Sequence, residues 1–192
     1  MAFNYVTNGD QNVVLGSGDL YAIKVSEVVD VFNLTTLEEA DLTYLGYIES
    51  DAELKSSAKK IELTAANAGR VGTLQGQKTV SFSTGIFSWN LDNVSNFLTG
   101  SSVTTDVATG KKTFIYAEED RSPRVYLRFV STDTSANKKI TVNMLAGEFA
   151  GELALNWNSD SPITFDYSFD LSSVKDTAGK HQYYQIISED IV

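Results

Sequence analysis

The chain has 192 residues, no cysteine, and 25 acidic against 15 basic residues, for a net charge of −10. This length suits one domain that buries roughly 70% of the surface its unfolded chain exposes, so neither a disulfide nor a metal is needed for stability. The missing cysteines exclude a disulfide framework, thiolate metal ligands and a cysteine nucleophile, while the acidic balance argues against binding to a phosphate backbone.

The N-terminal residues Met1–Tyr5 show no basic segment followed by an apolar run, so we expect no signal peptide. No apolar stretch approaches the ~20 residues that cross a bilayer, so we expect no membrane contact. These features predict a protein made in the cytoplasm that stays there or leaves by lysis or assembly. Its acidity is spread along the chain, and solubility alone is an equally good reason for it.

Two prolines, many Val, Thr, Tyr and Phe residues, and frequent alternation of apolar and polar residues predict a mainly β protein. We treat residues 1–192 as one domain, with a lead-in at 1–15 and a C-terminal extension at 172–192. Gly16–Gly18 is interpreted as a flexible entry to the first strand. In that strand Leu20, Ala22 and Lys24 alternate with Tyr21, Ile23 and Val25, and we expect the second set to be buried.

A short helical turn is expected at Leu37–Leu42, followed by a strand at Tyr44–Glu49. The next segment, residues 51–76, is polar and longer than the ~12–15 residues of ordinary connections. We interpret it as a protruding arm in which Lys60–Leu63 could form a short hairpin strand, with disorder until a partner binds as the alternative. The charged residues of this arm are Asp51, Glu53, Lys55, Lys59, Lys60 and Arg70.

A strand at Val80–Thr84 leads to the firmest helix prediction. Asn90 can cap the first turn, Asp92 suits the positive end of the helix dipole, and Gly100 can end the helix. The apolar stripe that would pack on a sheet consists of Leu91, Val94, Phe97 and Leu98. The polar stretch that follows, residues 99–112, is expected to form a hairpin tip around Thr109–Gly110.

Two alternating runs, 125–130 and 140–145, are separated by a turn cluster and predict an antiparallel hairpin. The cleanest alternation spans residues 163–171, with an apolar face and a polar face. Asp166 and Asp170 lie on the polar face, so we expect them on a solvent-exposed or lumen surface.

No constellation in the sequence points to catalysis. His181 is the only histidine and is expected to lie at the surface. Asp166 and Asp170 would lie ~13 Å apart on one strand, beyond the carboxyl separation that glycoside hydrolysis uses. Glu118–Asp120 lacks the calcium-loop pattern and is expected to be a solvated turn. We therefore expect no enzyme activity, cofactor or metal.

Taken in chain order, these elements resemble the major tail tube proteins of long-tailed bacteriophages, over roughly Val14 to Leu171. The resemblance is structural and includes no catalytic signature. It is carried by Gly18-Asp19-Leu20-Tyr21, Leu45-Gly46-Tyr47-Ile48, the long arm, Val80-Ser81-Phe82, Trp89-Asn90-Leu91, Arg124–Phe129, Lys138–Val142 and Pro162 before the last strand.

The resemblance implies a β-sandwich or half-barrel of antiparallel strands with one short flanking helix and a long arm. It implies a structural virion subunit that forms stacked hexameric rings, with the arm reaching an adjacent ring. DNA would pass through the lumen as cargo without specific binding. The implied partners are further copies of the chain, a tape-measure protein, and tail terminator and tip proteins.

A soluble β-sandwich that binds carbohydrate or a receptor remains the alternative. In that case Trp157, Tyr183 and Tyr184 would stack on sugars, although core packing is the simpler expectation for Trp157.

Overall fold

The structure, a computed structural model, describes residues 11–25, 37–65, 69–86, 90–92, 95, 101–116, 123–133, 137–158 and 161–191. For residues 11–15, 49–51, 59–65, 69–75, 77, 151–158 and 161–165 it describes the backbone. The strands are β1 (Gln11–Lys24), β2 (Thr43–Ala65), β3 (Gly69–Ile86), β4 (Ser102–Asp106), β5 (Lys111–Ile115), β6 (Val125–Asp133), β7 (Lys138–Asn158), β8 (Ser161–Leu171), β9 (Val174–Lys175), β10 (His181–Gln182) and β11 (Tyr184–Asp190). The mainly β prediction is confirmed, and the described strand pairs are antiparallel.

The main sheet closes on itself. Its strands follow the order β7-β6-β1-β2-β3-β8, and β8 returns to pair with the second half of β7. Gly147 marks the closure because it pairs with Val125 of β6 on one side and Leu171 of β8 on the other. β11 continues the sheet along the first half of β7. The six-stranded ring is therefore a small barrel whose interior is filled by side chains.

The barrel interior is the main hydrophobic core, to which all six ring strands contribute. Its largest fully buried side chains include Phe82, Phe129 and Phe169. A smaller cluster of Leu42, Tyr126 and Leu145 lies on the outer face of β6 and β7. The main core consists of Leu20, Ala22, Leu45, Ile48, Ala52, Leu54, Val80, Phe82, Ile86, Val125, Leu127, Phe129, Val142, Met144, Phe149, Tyr167, Phe169 and Leu171.

The prediction for the faces of β1 is wrong. Leu20 and Ala22 are fully buried inside the barrel, whereas Tyr21, Ile23 and Val25 are half-buried against the smaller outer cluster. On this face of β1 a Cβ at Gly18 would meet Phe129 at 2.7 Å, so the buried face holds glycine, leucine and alanine rather than the larger tyrosine. Aromatic size alone did not indicate the core.

β1 also begins earlier than predicted. It starts at Gln11, inside the segment assigned to a lead-in, and it contains Gly16 and Gly18. Register shifts between Val14 and Gly16 and between Gly16 and Gly18 show that the glycines form a bulged part of the strand. The interpretation of Gly16–Gly18 as a flexible entry is corrected accordingly.

The segment before β2 forms the predicted helical turn, as a short 3-10 helix at Glu39–Asp41. The Asp41 carboxylate accepts a hydrogen bond from the Glu38 N–H at 3.1 Å. Leu42 turns inward to the outer cluster, and the Leu37 carbonyl accepts a hydrogen bond of 2.8 Å from Arg128. These contacts hold the turn on the outer face of the barrel.

The helix predicted after Asn90 is seen at its start. The Asn90 side-chain oxygen accepts a 3.0 Å hydrogen bond from the Asp92 N–H, and the backbone is helical at Leu91, Asp92 and Ser95. Leu91 packs against the main core as predicted. Val94, Phe97 and Leu98 lie outside the described residues.

The hairpin predicted at 99–112 is β4 and β5, which form a separate two-stranded sheet. Gly110 adopts a φ of +68°, and the Asp106 side chain accepts hydrogen bonds from Ala108 and Thr109 across the turn. The hydrogen bond from the Thr109 hydroxyl contributes most to lowering the pKa of Asp106 below its usual range. The predicted antiparallel hairpin of β6 and β7 is likewise confirmed.

The segment assigned to a C-terminal extension belongs largely to the fold. β9 and β10 form a small hairpin, and β11 adds to the main sheet, pairing from Tyr184 opposite Met144 to Asp190 opposite Lys138. His181 is exposed, as predicted, and its Nδ1 lies 3.0 Å from the Ser173 hydroxyl.

Candidate functional site: a projecting hairpin and a polar barrel face

A two-stranded hairpin projects from the barrel. β2 and β3 pair as far as Ala65 and Gly69, but β1 pairs with β2 only up to Ser56, and β8 pairs with β3 only from Val80. Among the described residues, no third strand pairs with 57–65 or 69–79. We call residues 57–79 the arm. Nine strand residues at ~3.3 Å each give it a length of ~30 Å.

The arm is more ordered than predicted, and it begins and ends at different residues. The described part of 51–76 is regular β-structure, not an irregular excursion. Glu53 and Lys55 belong to the barrel wall, where each pairs with β1 on one side and β3 on the other, and the Asp51 backbone lies in the same strand. The backbones of Lys59, Lys60 and Arg70 lie in the arm.

Side-chain contacts hold the root of the arm. The hydroxyls of Ser57 and Thr79 are hydrogen-bonded across the two strands at 2.8 Å. The Lys78 amine lies 5.6 Å from the centre of the Tyr183 ring, and the Tyr183 hydroxyl is 3.5 Å from the Lys78 carbonyl. Because Tyr183 packs against the main core, the direction of the arm is coupled to the barrel.

The arm and the rest of the chain carry opposite charge. The arm contains Lys59, Lys60, Arg70 and Lys78 but only one acidic residue, Glu62. It therefore has four of the 15 basic and one of the 25 acidic residues, which leaves 11 basic and 24 acidic residues elsewhere. A basic projection on an acidic body is suited to contact with a second acidic surface.

The outer face of β3 and β8 is polar and built from small side chains. Ser81 lies opposite Asp170, Ser83 opposite Ser168, and Gly85 opposite Asp166. Asp170 is exposed and Asp166 is half-buried, while Tyr167, Phe169 and Leu171 between them point into the core. The structure thus brings Asp166 and Asp170 to one outward face, as their alternation predicted.

This polar face continues onto β7 with more acidic charge. Glu148 lies directly opposite Asp170, a placement that is destabilising for like charges. Arg124 Nε donates a hydrogen bond to Glu148 at 2.6 Å and partly neutralises the pair. The described part of this surface therefore carries three carboxylates, with Arg124 at one edge and Lys55 of β2 beside Ser81 at the other.

Sequence reasoning missed a patch of tyrosines at the other end of β2. Tyr44 and Tyr47 are 40% and 39% exposed, and Tyr21 contacts Tyr44 with ring centres 5.4 Å apart. Residues three apart on a regular strand face opposite sides. Here a register shift between Leu20 and Tyr21 brings both tyrosines outward. In the sequence, Gly46 between the two tyrosines was the residue that could have indicated this irregularity in the strand.

The tyrosine patch, defined as Asp19, Tyr21, Glu39, Tyr44 and Tyr47, is also acidic. The Tyr44 hydroxyl donates a 3.0 Å hydrogen bond to Asp19, and burial together with this bond raises the pKa of Tyr44 to about 12. Burial, then the charges of Glu39 and Asp19, raise the pKa of Tyr21.

Two of the three aromatic residues proposed for sugar stacking are half-buried in the fold rather than exposed. Tyr183 and Tyr184 are half-buried and pack against the main core, and the Trp157 side chain lies outside the described part. Glu118–Asp120 also lies outside it. In the described side chains, no group of three or more His, Asp or Glu residues is arranged to hold a metal ion.

The sequence matches no protein-family model and shows no significant similarity to a curated protein. No helix in the described ranges is long and apolar enough to span a membrane.

Proposed function

We propose that this chain is a structural subunit of a bacteriophage tail tube, which self-assembles into stacked hexameric rings around a DNA passage. The observation that carries the proposal is the arm, a ~30 Å two-stranded hairpin extending from a closed barrel. A two-stranded ribbon is marginally stable in water by itself. Its exposed backbone edges favour contact with another chain.

The sheet edges support assembly into rings. Each ring strand of the barrel has two neighbours, whereas β11 pairs with β7 alone in the described structure. Its seven residues offer unpaired backbone groups to a neighbouring subunit, and joining subunits would remove that exposed edge. A head-to-tail contact of this kind closes into a ring when the rotation between subunits allows it.

The polar face of β3, β8 and β7 is suited to a DNA channel. Its serines and carboxylates, including Asp166, Asp170 and Glu148, would repel phosphates and prevent DNA from adhering to the wall. The repulsion extends only ~8 Å at physiological ionic strength, which is sufficient in a narrow lumen. We infer that DNA passes as cargo, and that tape-measure, terminator and tip proteins complete the tail in the virion.

The test is assembly of the full chain, with and without its arm. Ala58 and Lys78 are register partners, so residues 59–77 can be replaced by Asn-Gly, a dipeptide that closes a two-residue hairpin. We expect the full chain to form rings or tubes in negative-stain electron microscopy at high concentration, and the shortened chain to stay a folded monomer.

The matched control shortens the other hairpin in the same way. Asp106 and Lys111 are register partners, so residues 107–110 can also be replaced by Asn-Gly. This variant should assemble normally. A full chain that remains a strict monomer and binds a glycan array would overturn the proposal in favour of a carbohydrate-binding module.

A further inference from the structure

We propose that the tyrosine patch is the surface that receives the arm of a second copy of this chain. The inference extends the proposed function, since it names the partner surface for a contact between successive rings. It is based on three observations: the positions of patch and arm on β2, the chemistry of the patch, and the charge of the arm.

The patch and the arm lie at opposite ends of one strand. Tyr44 and Tyr47 are near the start of β2, which continues through the barrel wall and ends at Ala65 in the arm. At ~3.3 Å per residue, ~60 Å of strand separates Tyr47 from Ala65. An arm that points away from its own patch can reach only the patch of another copy. Such a head-to-tail contact repeats along an axis and builds an open stack.

The chemistry of the patch suits a basic partner. The exposed Tyr44 is hydrogen-bonded to Asp19, and the exposed Tyr47 is the register partner of Asp19. The charges of Glu39 and Asp19 act on Tyr21. Glu38 and Asp41 are exposed on the adjoining turn, and Lys139 contacts Glu39 at 3.2 Å. The patch and the adjoining turn therefore carry four carboxylates, against Lys139 at Glu39 and Arg128 opposite Tyr21 on β6.

Cations bind to the faces of tyrosine rings and to carboxylates, and the arm carries the residues for both. It has four basic residues and one acidic residue. Two contacts of a cation with a tyrosine ring occur among the described residues: Lys78 with Tyr183 at 5.6 Å and Arg128 with Tyr126 at 5.7 Å. Because the arm is basic and the patch is acidic, the patch should bind the arm of another copy in preference to an acidic face of that copy.

Crosslinking tests the contact directly, because the chain has no cysteine of its own. One copy carries Tyr47→Cys and the other carries Val71→Cys in the arm. We expect a covalent dimer, formed with a short bis-maleimide, in the mixture of the two variants. The control replaces the first copy with Val107→Cys, at a position that is 93% exposed on the β4–β5 turn, and should yield no dimer.

Charge reversal gives an independent readout. Lys59→Glu with Lys60→Glu should abolish tubes, as should Asp19→Lys with Glu39→Lys, and combining all four substitutions should restore them. Tubes without the position-47 crosslink would overturn this inference while leaving the tail-tube function standing. A crosslink without tubes would support the docking and overturn the tail-tube function. Neither crosslink nor tubes would overturn both.

Discussion

Gly18 lies so close to Phe129 that no other residue fits between β1 and β6. A Cβ at Gly18 would be 2.7 Å from Phe129 Cζ and 2.4 Å from the Val130 carbonyl oxygen. Both distances are shorter than real Cβ contacts, and the second involves backbone. Glycine at position 18 is therefore required for this close packing.

We expect Gly18→Ala to lower the free energy of unfolding by ~3 kcal/mol, because it overpacks the barrel interior. Gly16→Ala is the matched control: a Cβ at Gly16 would have no heavy atom within 4 Å, and the cost comes from its φ of +72°. That cost should be ~1 kcal/mol. Urea unfolding measures both, and a Gly16→Ala variant less stable than Gly18→Ala would contradict the packing argument.

The buried polar network on the outer face of β6 gives a second prediction. The Tyr126 hydroxyl donates a 2.6 Å hydrogen bond to the Asn143 side-chain oxygen, and it accepts one from Arg128 Nη2 at 3.1 Å. Tyr126→Phe removes the shared oxygen and should cost ~2 kcal/mol of stability. Tyr116→Phe, at a tyrosine that is 45% exposed, should change stability little, and thermal unfolding of both variants decides.

On the acidic face, we expect the effects of Arg124 and Asp170 on the free energy of unfolding to be coupled, because both residues interact with Glu148. Removing Arg124 leaves Glu148 facing Asp170, so Arg124→Gln should lower stability by ~0.5 kcal/mol at low salt. Adding Asp170→Asn should recover most of this loss, because the like charges no longer face each other. A double-mutant cycle in urea measures the coupling.

The coupling should disappear in ~1 M salt, where the screening length is only ~3 Å. Simple additivity of the two substitutions at low salt would contradict the prediction.

The burial of Tyr44 and its hydrogen bond to Asp19 predict that stability depends on pH in the alkaline range. The pKa of Tyr44 is raised from 10.0 to about 12 in the folded chain, so folding favours the protonated phenol. Its contribution is fully present below pH 10.0 and is lost as the pH rises towards about 12. The stability difference between the wild-type chain and Tyr44→Phe should therefore shrink across that interval. Urea midpoints at neutral and alkaline pH measure it, and a constant difference would contradict the assignment.

Local patterns in the sequence predicted several elements correctly. The alternation in 125–130 and 140–145 predicted the β6–β7 hairpin, and that of 163–171 predicted the outward face of Asp170. Asn90 caps a helical turn as its side chain suggested. These features depend on residues close in sequence, whose periodicity or hydrogen bonding is independent of the rest of the chain.

Other features depend on residues far apart in sequence. The buried face of β1 is set by the adjacent strand β6, where Phe129 and Val130 leave no room for a side chain at Gly18. The arm is ordered as a hairpin because β2 and β3 stay paired beyond the barrel, with register shifts between Ala58 and Lys60 and between Leu63 and Thr64.

The sequence by itself determined the β class and the separate hairpins, whereas the charge contrast between the arm and the rest of the chain depends on the limits 57–79 that the strand pairing gives the arm. Only the tertiary structure decided three further features. These are the closure of the sheet at Gly147, the point on β2 and β3 at which the arm leaves the barrel, and the common surface of Tyr44 and Tyr47. Strand order and register are set by side chains that meet across the whole chain, whereas periodicity records only which residues of one strand share a face.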